Sequence, residues 1–406
     1  MYIKRLLKSK KPGSAIPLVV LVVVLLSITG AGLLSLGLRG RIFSIRTASE
    51  ITARCAADAG LTKAIFEMNE QLKIKPWNDS ILPQETDEAL PNCNAVFSYN
   101  VTIDGGGSYA IESVGQANQR ERRANSTLRL KGLFEYAITT RGDLILKSLT
   151  LIDGYNSADS GDTDTEVQIA TNSTLSDSII LNSGVTVDGA VLVGVGGDTE
   201  DVIKDLGSST GLRYSMSEEI EFPAITPPTL PDMGNINEHG STRTLGPGDN
   251  GEYGSITLKK SNNPGILEID GGDVVLYITG DIDMGQSCEI VIKPGSSLTI
   301  YLDGDLDAGN SNGINNETQI PGDFRLYGTS TGAQDLDLKA DSDFYGAVYA
   351  PNADIEIKAG GDIYGSFTGD DFEFKAGSNF HYDEALRTAD FDDEGVRFVV
   401  ERWSEQ

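Results

Sequence analysis

The chain is poor in the residues that most often carry chemistry. Its 406 residues include three cysteines and two histidines. Cys55, Cys93 and Cys288 make no C-x-x-C and no metal-ligand spacing. Three separate thiols is the reading adopted, with a Cys55–Cys93 bridge in an oxidising compartment as the alternative. His239 and His381 lie far apart, and neither has a Ser, Cys or second His at a telling spacing, so neither a catalytic triad nor a zinc site is supported. Bases are scarce beyond the N-terminus: the first acid is Glu50, and from there 60 acids face 24 bases. Such a surface repels phosphates, which excludes nucleic acid as a partner. It suits solubility outside the cell and attracts divalent cations. Aromatics are few (7%) and glycines many (46), which favours short strands and turns over a helical bundle.

What the N-terminus has is a long apolar run. Residues 14–38 carry no charge. As a helix they cover ~37 Å, enough for a bilayer core of ~30 Å. Leu18, Val22, Leu25 and Leu33 are membrane positions in this reading. A secretory signal would have a shorter apolar core, ~7–15 residues, ending in a small-x-small cleavage site. Here a helical stripe continues past it through Ile42, Ile45, Ser49, Thr52, Ala56, Ala59, Lys63 and Phe66, and Pro76 stops it. The spacing predicts one helix over 14–72, membrane-soluble first and amphipathic after. Lys4, Arg5, Lys8, Lys10 and Lys11 place the N-terminus on the cytoplasmic side. That makes a single-pass inner-membrane protein with a periplasmic or extracellular C-terminal domain.

The run Lys10-Lys11-Pro12-Gly13-Ser14-Ala15, followed by the apolar stretch, resembles a type IV prepilin leader. The later Ala56-Ala57-Asp58-Ala59-Gly60-Leu61 is similar to a segment of PilX-type minor pilins. The resemblance covers roughly residues 8–70. It implies cleavage between Gly13 and Ser14 by a prepilin peptidase, methylation of the new N-terminus, and assembly with other pilins or pseudopilins through the helix. One position departs from the pattern. Leu18, preceded by Pro17, stands where major pilins carry a Glu. That suits a minor or tip subunit better than the body of a filament. A plain, unassembled anchor is the competing reading.

Residues 73–94 read as a Pro- and acid-rich loop. Segments 95–103, 109–114 and 126–130 alternate and predict about three antiparallel strands, so 73–131 is a loop plus a small pilin-like sheet. Arg120, Arg122 and Arg123 form a basic cluster, read as a solvated turn. From about Phe134 internal repeats appear. Asp337–Gly346 aligns with Glu356–Gly365 at an offset of 19, and Glu373–Tyr382 follows after 17 more; Leu276–Gly285 aligns with Ile300–Gly309 at 24. Such phased short strands fit coils of a parallel, right-handed β-helix over 132–386, with a sandwich as the competing reading. A Pro-rich insertion interrupts it at about 196–250, and 387–406 is a tail whose strand covers an exposed edge or the last coil. The segments Asp153–Ser157, Tyr345–Asn352 and His381–Leu386 resemble a repeat domain that is fused to PilX-like headers. That resemblance implies architecture and carries no activity.

Right-handed β-helices include polysaccharide-cleaving enzymes, so the paired carboxylates matter. In aligned coils Asp281, Asp283, Asp305 and Asp307 would stack ~4.8 Å apart, within reach of acid–base work or a calcium ion. Lyases need a Lys/Arg cluster that is missing nearby, so the expectation is no enzyme, with Ca2+ the one candidate cofactor. Asp159–Glu166 is a second acidic loop, without EF-hand spacing. The whole predicts a mainly β chain behind a long N-terminal helix. Its expected role is a minor pilin-like or pseudopilin-like subunit of a type IV pilus or type II secretion-like filament, displaying the β domain for adhesion to a glycan or surface, or for assembly. The alternative is a membrane-anchored envelope protein, purely structural or polysaccharide-processing.

Overall fold

The structure is a computed structural model and describes residues 15–105, 107–159, 161, 165, 167–308, 311–340, 343–375 and 378–405. Two compact units emerge: Met1–Ile74, Asn78–Arg129 and Phe398–Gln406 form the first, Lys75–Trp77 and Leu130–Arg397 the second.

The first unit is built on α1 (Ile16–Leu72), 57 residues long with Pro17 in its opening turn, where a missing N–H costs nothing. Within the apolar stretch the Ser27 and Thr29 hydroxyls donate to carbonyls one turn back. Burial begins only at Ser49 and follows a stripe through Ala53, Ala56, Ala57, Gly60, Leu61, Ala64, Met68 and Leu72. The small residues in that stripe let an antiparallel sheet approach the helix backbone. Its order is β1 (Gln84–Ala89), β2 (Ala95–Gly105), β3 (Ser108–Ala117), β4 (Arg120–Lys131), then the C-terminal strand Arg397–Glu405. Ser113 Oγ donates to the Ala57 carbonyl at 2.7 Å, and Gly115 lies directly over Ala53–Ala57.

The predicted three-stranded sheet therefore has five strands. β1, within the expected loop, is Gln-Glu-Thr-Asp-Glu-Ala: an edge strand needs no apolar alternation, and its charges protect the edge. The tail strand covers the opposite edge of this same sheet rather than the last coil of the repeats. Asn69 fixes it by bonding both the N–H (2.7 Å) and the carbonyl (3.3 Å) of Phe398.

The second unit contains two 14-stranded sheets, paired almost entirely in parallel. The chain contributes one or two strands to each in turn. The repeats read from the sequence are direct neighbours: Leu276 pairs with Ile300, Asp337 with Glu356, Glu356 with Glu373, and Tyr345 with Tyr364. Alternation sends one face inward. Leu276, Ile300, Leu326, Val348, Phe367, Ile138, Ile169 and Val191 are successive register partners, and none is more than 1% exposed. Each such side chain contributes ~1.5–3 kcal/mol on leaving water.

Strand order departs from chain order. Segments 138–215 stack on one side of 363–383, and segments 236–359 on the other. The Pro-rich insertion links the two ends of this order. It is shorter than 196–250, because 203–205, 209–210, 213–215, 236–239 and 242–245 are strands of the sheets. Those strands are two to four residues long, too short for alternation to register. The connecting stretch is 216–235. Phe222 and Ile225 pack with Tyr301, Tyr327 and Tyr349; Tyr349 Oη donates to the Pro223 carbonyl (2.8 Å), and the Asn172 amide holds both the N–H and carbonyl of Ile220.

Candidate functional site

α1 presents the predicted membrane positions outward. Leu18, Val22, Leu25 and Leu33 are all exposed within the first unit, and the stretch is long and apolar enough to cross a membrane. The expected processing pair, Gly13 and Ser14, lies outside the described residues. All three cysteines are free, Cys55 and Cys93 exposed and Cys288 buried. The basic cluster is engaged within its own unit: Arg122 with Glu50, Arg123 with Glu112 (2.6 Å) and Glu121 (3.0 Å).

The paired aspartates fall into two columns on one parallel sheet. Asp283, Asp307, Asp337, Glu356 and Glu373 are consecutive register partners. Lysines lace this column diagonally: Lys358 reaches Glu356 (2.6 Å) and Asp337 (2.8 Å), Lys375 reaches Glu356 (2.5 Å), and Lys147 reaches Glu373 (2.6 Å). Burial would raise the Glu356 pKa, but the bonds from Lys358 and Lys375 outweigh it and hold the carboxyl below its ordinary value.

The other column does different work. Asp281 Oδ1 accepts the N–H of Asp305 (3.0 Å), Asp305 Oδ1 that of Asp335 (2.9 Å), and Asp371 Oδ1 that of Asp143 (2.6 Å). Asp305 and Asp143 stand just before their strands and Asp335 near the start of its own, and in each case a carboxylate of the neighbouring segment supplies the N–H with an acceptor. Asp343 and Asp362 repeat the device at another corner. So of the four residues expected to bind calcium, Asp281 and Asp305 accept backbone bonds, and Asp283 faces Lys259 (3.8 Å). Among the described residues no group of three or more His, Cys, Asp or Glu could hold a metal ion. Asp281 and Asp305 thus each commit one carboxylate oxygen to a backbone N–H of the next stacked segment. Most of the acidic loop 159–166 lies outside the described residues.

An open groove of about 450 Å³ runs over the acids, lined by Asp143, Asp335, Asp354 and Asp371 among others. Burial, and then neighbouring carboxylates, raise the pKa of Asp143 and of Asp354.

His381 was the residue the sequence left without a partner. Its Nδ1 is hydrogen-bonded to Asp153 across 228 residues of chain, and its Nε2 is 3.7 Å from Asp362. Its ring stacks on Tyr364 (4.6 Å), which stacks on Tyr345 (4.4 Å) and meets the Tyr155 ring edge-on (5.5 Å). Burial and the surrounding carboxylates raise Tyr364 to about 12. No local spacing could reveal this pairing; only the register of Asp153–Ser157 against His381–Leu386 brings the two together. Ser157 Oγ donates to Asp383 (2.6 Å) rather than to His381, so the hydroxyl is not activated by the imidazole.

A model for a domain of unknown function (DUF7305) matches residues 232–389, within the parallel-sheet unit. No curated protein matches the chain. Among solved structures, the competence-associated pilin ComZ from Thermus thermophilus aligns with 88% of this chain and 97% of its own, at 13% identity and a TM-score of 0.30. A score that low carries no argument about fold or role.

Proposed function

We propose that this chain is a pilin-like, membrane-anchored subunit of the minor-pilin or pseudopilin kind. One observation carries the reading. A single unbroken helix is apolar and uncovered over its first half and buried under an antiparallel sheet from Ser49 onward. A pilin needs that division of labour: one half for membrane and neighbouring subunits, the other as the spine of a folded head. In this reading a prepilin peptidase cuts after Gly13, Ser14 is methylated, and the helix stays in the inner membrane until extracted into a type IV pilus or type II secretion-like filament. The missing carboxylate at Leu18 favours a minor subunit.

The two parallel sheets are, in the same proposal, faces of a right-handed β-helix. It is supported by register offsets of 17 to 35 residues between most stacked partners. The β-helix would be the displayed surface, for adhesion to an extracellular glycan or surface or for assembly. We assign it no catalysis: Asp281 and Asp305 accept backbone N–H groups, and Asp283 faces Lys259. Fractionating sheared surface filaments tests the reading. Co-purification of the chain with pilins supports it; confinement to the membrane fraction, with filaments present, overturns it.

A further inference from the structure

In the middle of each parallel sheet lie neighbouring strands that the chain does not link in order. Phe367–Gly369 pairs with Ile138–Thr140, Phe372–Phe374 with Leu144–Leu146, and Phe380–Asp383 with Ile152–Tyr155. Elsewhere most stacked partners lie 17 to 35 residues apart along the chain. At this seam they lie 228 or 229 apart, so segment 138–215 meets the 363–383 strands through non-covalent contacts with no nearby covalent link. Such a boundary is where a sheet opens as a unit. Side chains cross it as well. Tyr382 Oη donates to the Phe134 carbonyl (2.8 Å), Ser366 Oγ to the Tyr136 carbonyl (2.6 Å), and Lys147 pairs with Glu373.

Titratable groups sit on the seam in both sheets. In one sheet His381 bonds Asp153 of the facing strand. In the other the Asp143 carboxyl lies beside Asp371, whose own carboxylate holds the Asp143 N–H. We propose that the seam is a pH-responsive closure: mild acid tightens the docking of segment 138–215 on the 363–383 strands, and rising pH loosens it.

The groups facing His381 are Asp153 from the partner strand, Asp362 from the turn before Ile363–Gly369, and the Tyr364 ring. Burial lowers the imidazole pKa, but the bond to Asp153 and the charges of Asp153 and Asp362 outweigh it, and the net shift is upward from 6.5. A raised folded value means stabilisation that is full below the unfolded value and lost as pH climbs through the folded one. Asp143 acts in the same direction. Its carboxyl is raised by burial, then by Asp371, against a lowering bond with Ser178. Ionised, it repels Asp371 across the seam; protonated, it does not.

Hydrogen exchange of the full-length chain in detergent tests this, between about pH 5.5 and pH 8, a window set by imidazole titration. After correction for intrinsic rates, amides of 138–155 and 179–193 gain protection relative to those of 273–302 as pH falls. His381→Gln and Asp153→Asn each abolish most of that gain. Lys147→Met lowers protection of the segment at every pH and leaves the gain intact. Asp143→Asn raises protection near pH 8. An undiminished gain in both His381→Gln and Asp153→Asn overturns the proposal. So does wild-type protein in which 138–155 and 273–302 keep a constant ratio of protection throughout.

Discussion

Gly115 is the tightest point of helix–sheet packing in the first unit, and replacing it by alanine perturbs one contact cleanly. A Cβ there would lie 2.1 Å from the Ala53 carbonyl oxygen and 2.3 Å from the Ala57 nitrogen. Both are backbone atoms of α1, so no rotamer change relieves the clash. Either β3 lifts away or α1 shifts. Overpacking costs ~1–3 kcal/mol, and lifting β3 also breaks the Ser113–Ala57 bond, ~1 kcal/mol. With a urea dependence of about 1–3 kcal/mol per molar for a small unit, the midpoint falls by ~1 M or more. Trp403 lies in the first unit and Trp77 in the second, so a Trp77→Phe background lets fluorescence report on the first unit alone. Gly115→Ala lowers that midpoint, and adding Ala53→Gly does not restore it, because the atoms met are not side chain. An unchanged midpoint, or rescue by Ala53→Gly, refutes the packing described.

Other consequences follow from the second unit. Phe367→Ala empties the inward column beside Ile138 and Val348 and costs ~3–5 kcal/mol, read as a fall in Tm. Asp305→Ala strands the Asp335 N–H and costs ~1–3 kcal/mol, whereas Asp305→Asn, which keeps an acceptor, costs less on the same thermal assay. Glu356 has a lowered folded pKa, so its contribution is present above its ordinary 4.5 and is lost as pH falls through the folded value; Glu356→Gln removes that acid-side slope from denaturation curves measured across pH. Tyr349→Phe releases the Pro223 carbonyl, ~1 kcal/mol, and speeds limited proteolysis within 216–235.

Much of the architecture was legible because it is written in phase. The spacing of Asp337, Glu356 and Glu373 is the register itself, and the apolar run before an Ala- and Gly-bearing stripe is α1 in outline. What was illegible depends on chain order or edges. Gln84–Ala89 has no alternation, since an edge strand of acids packs little. The strand Arg397–Glu405 carried the right pattern but not the address of its partner. The seam joining 138–155 to 363–383 leaves no trace in repeat offsets, which describe neighbours along the chain. The His381–Asp153 pair therefore went unseen. The aspartates show another limit: the D-x-D spacing of Asp281 and Asp305 does not reveal that each accepts a backbone N–H from the next stacked segment.

The mass of the native N-terminal peptide tests the central claim most directly. The account predicts a chain that begins at Ser14 and carries one added methyl group. An intact Met1, or a start at any residue other than Ser14, contradicts it.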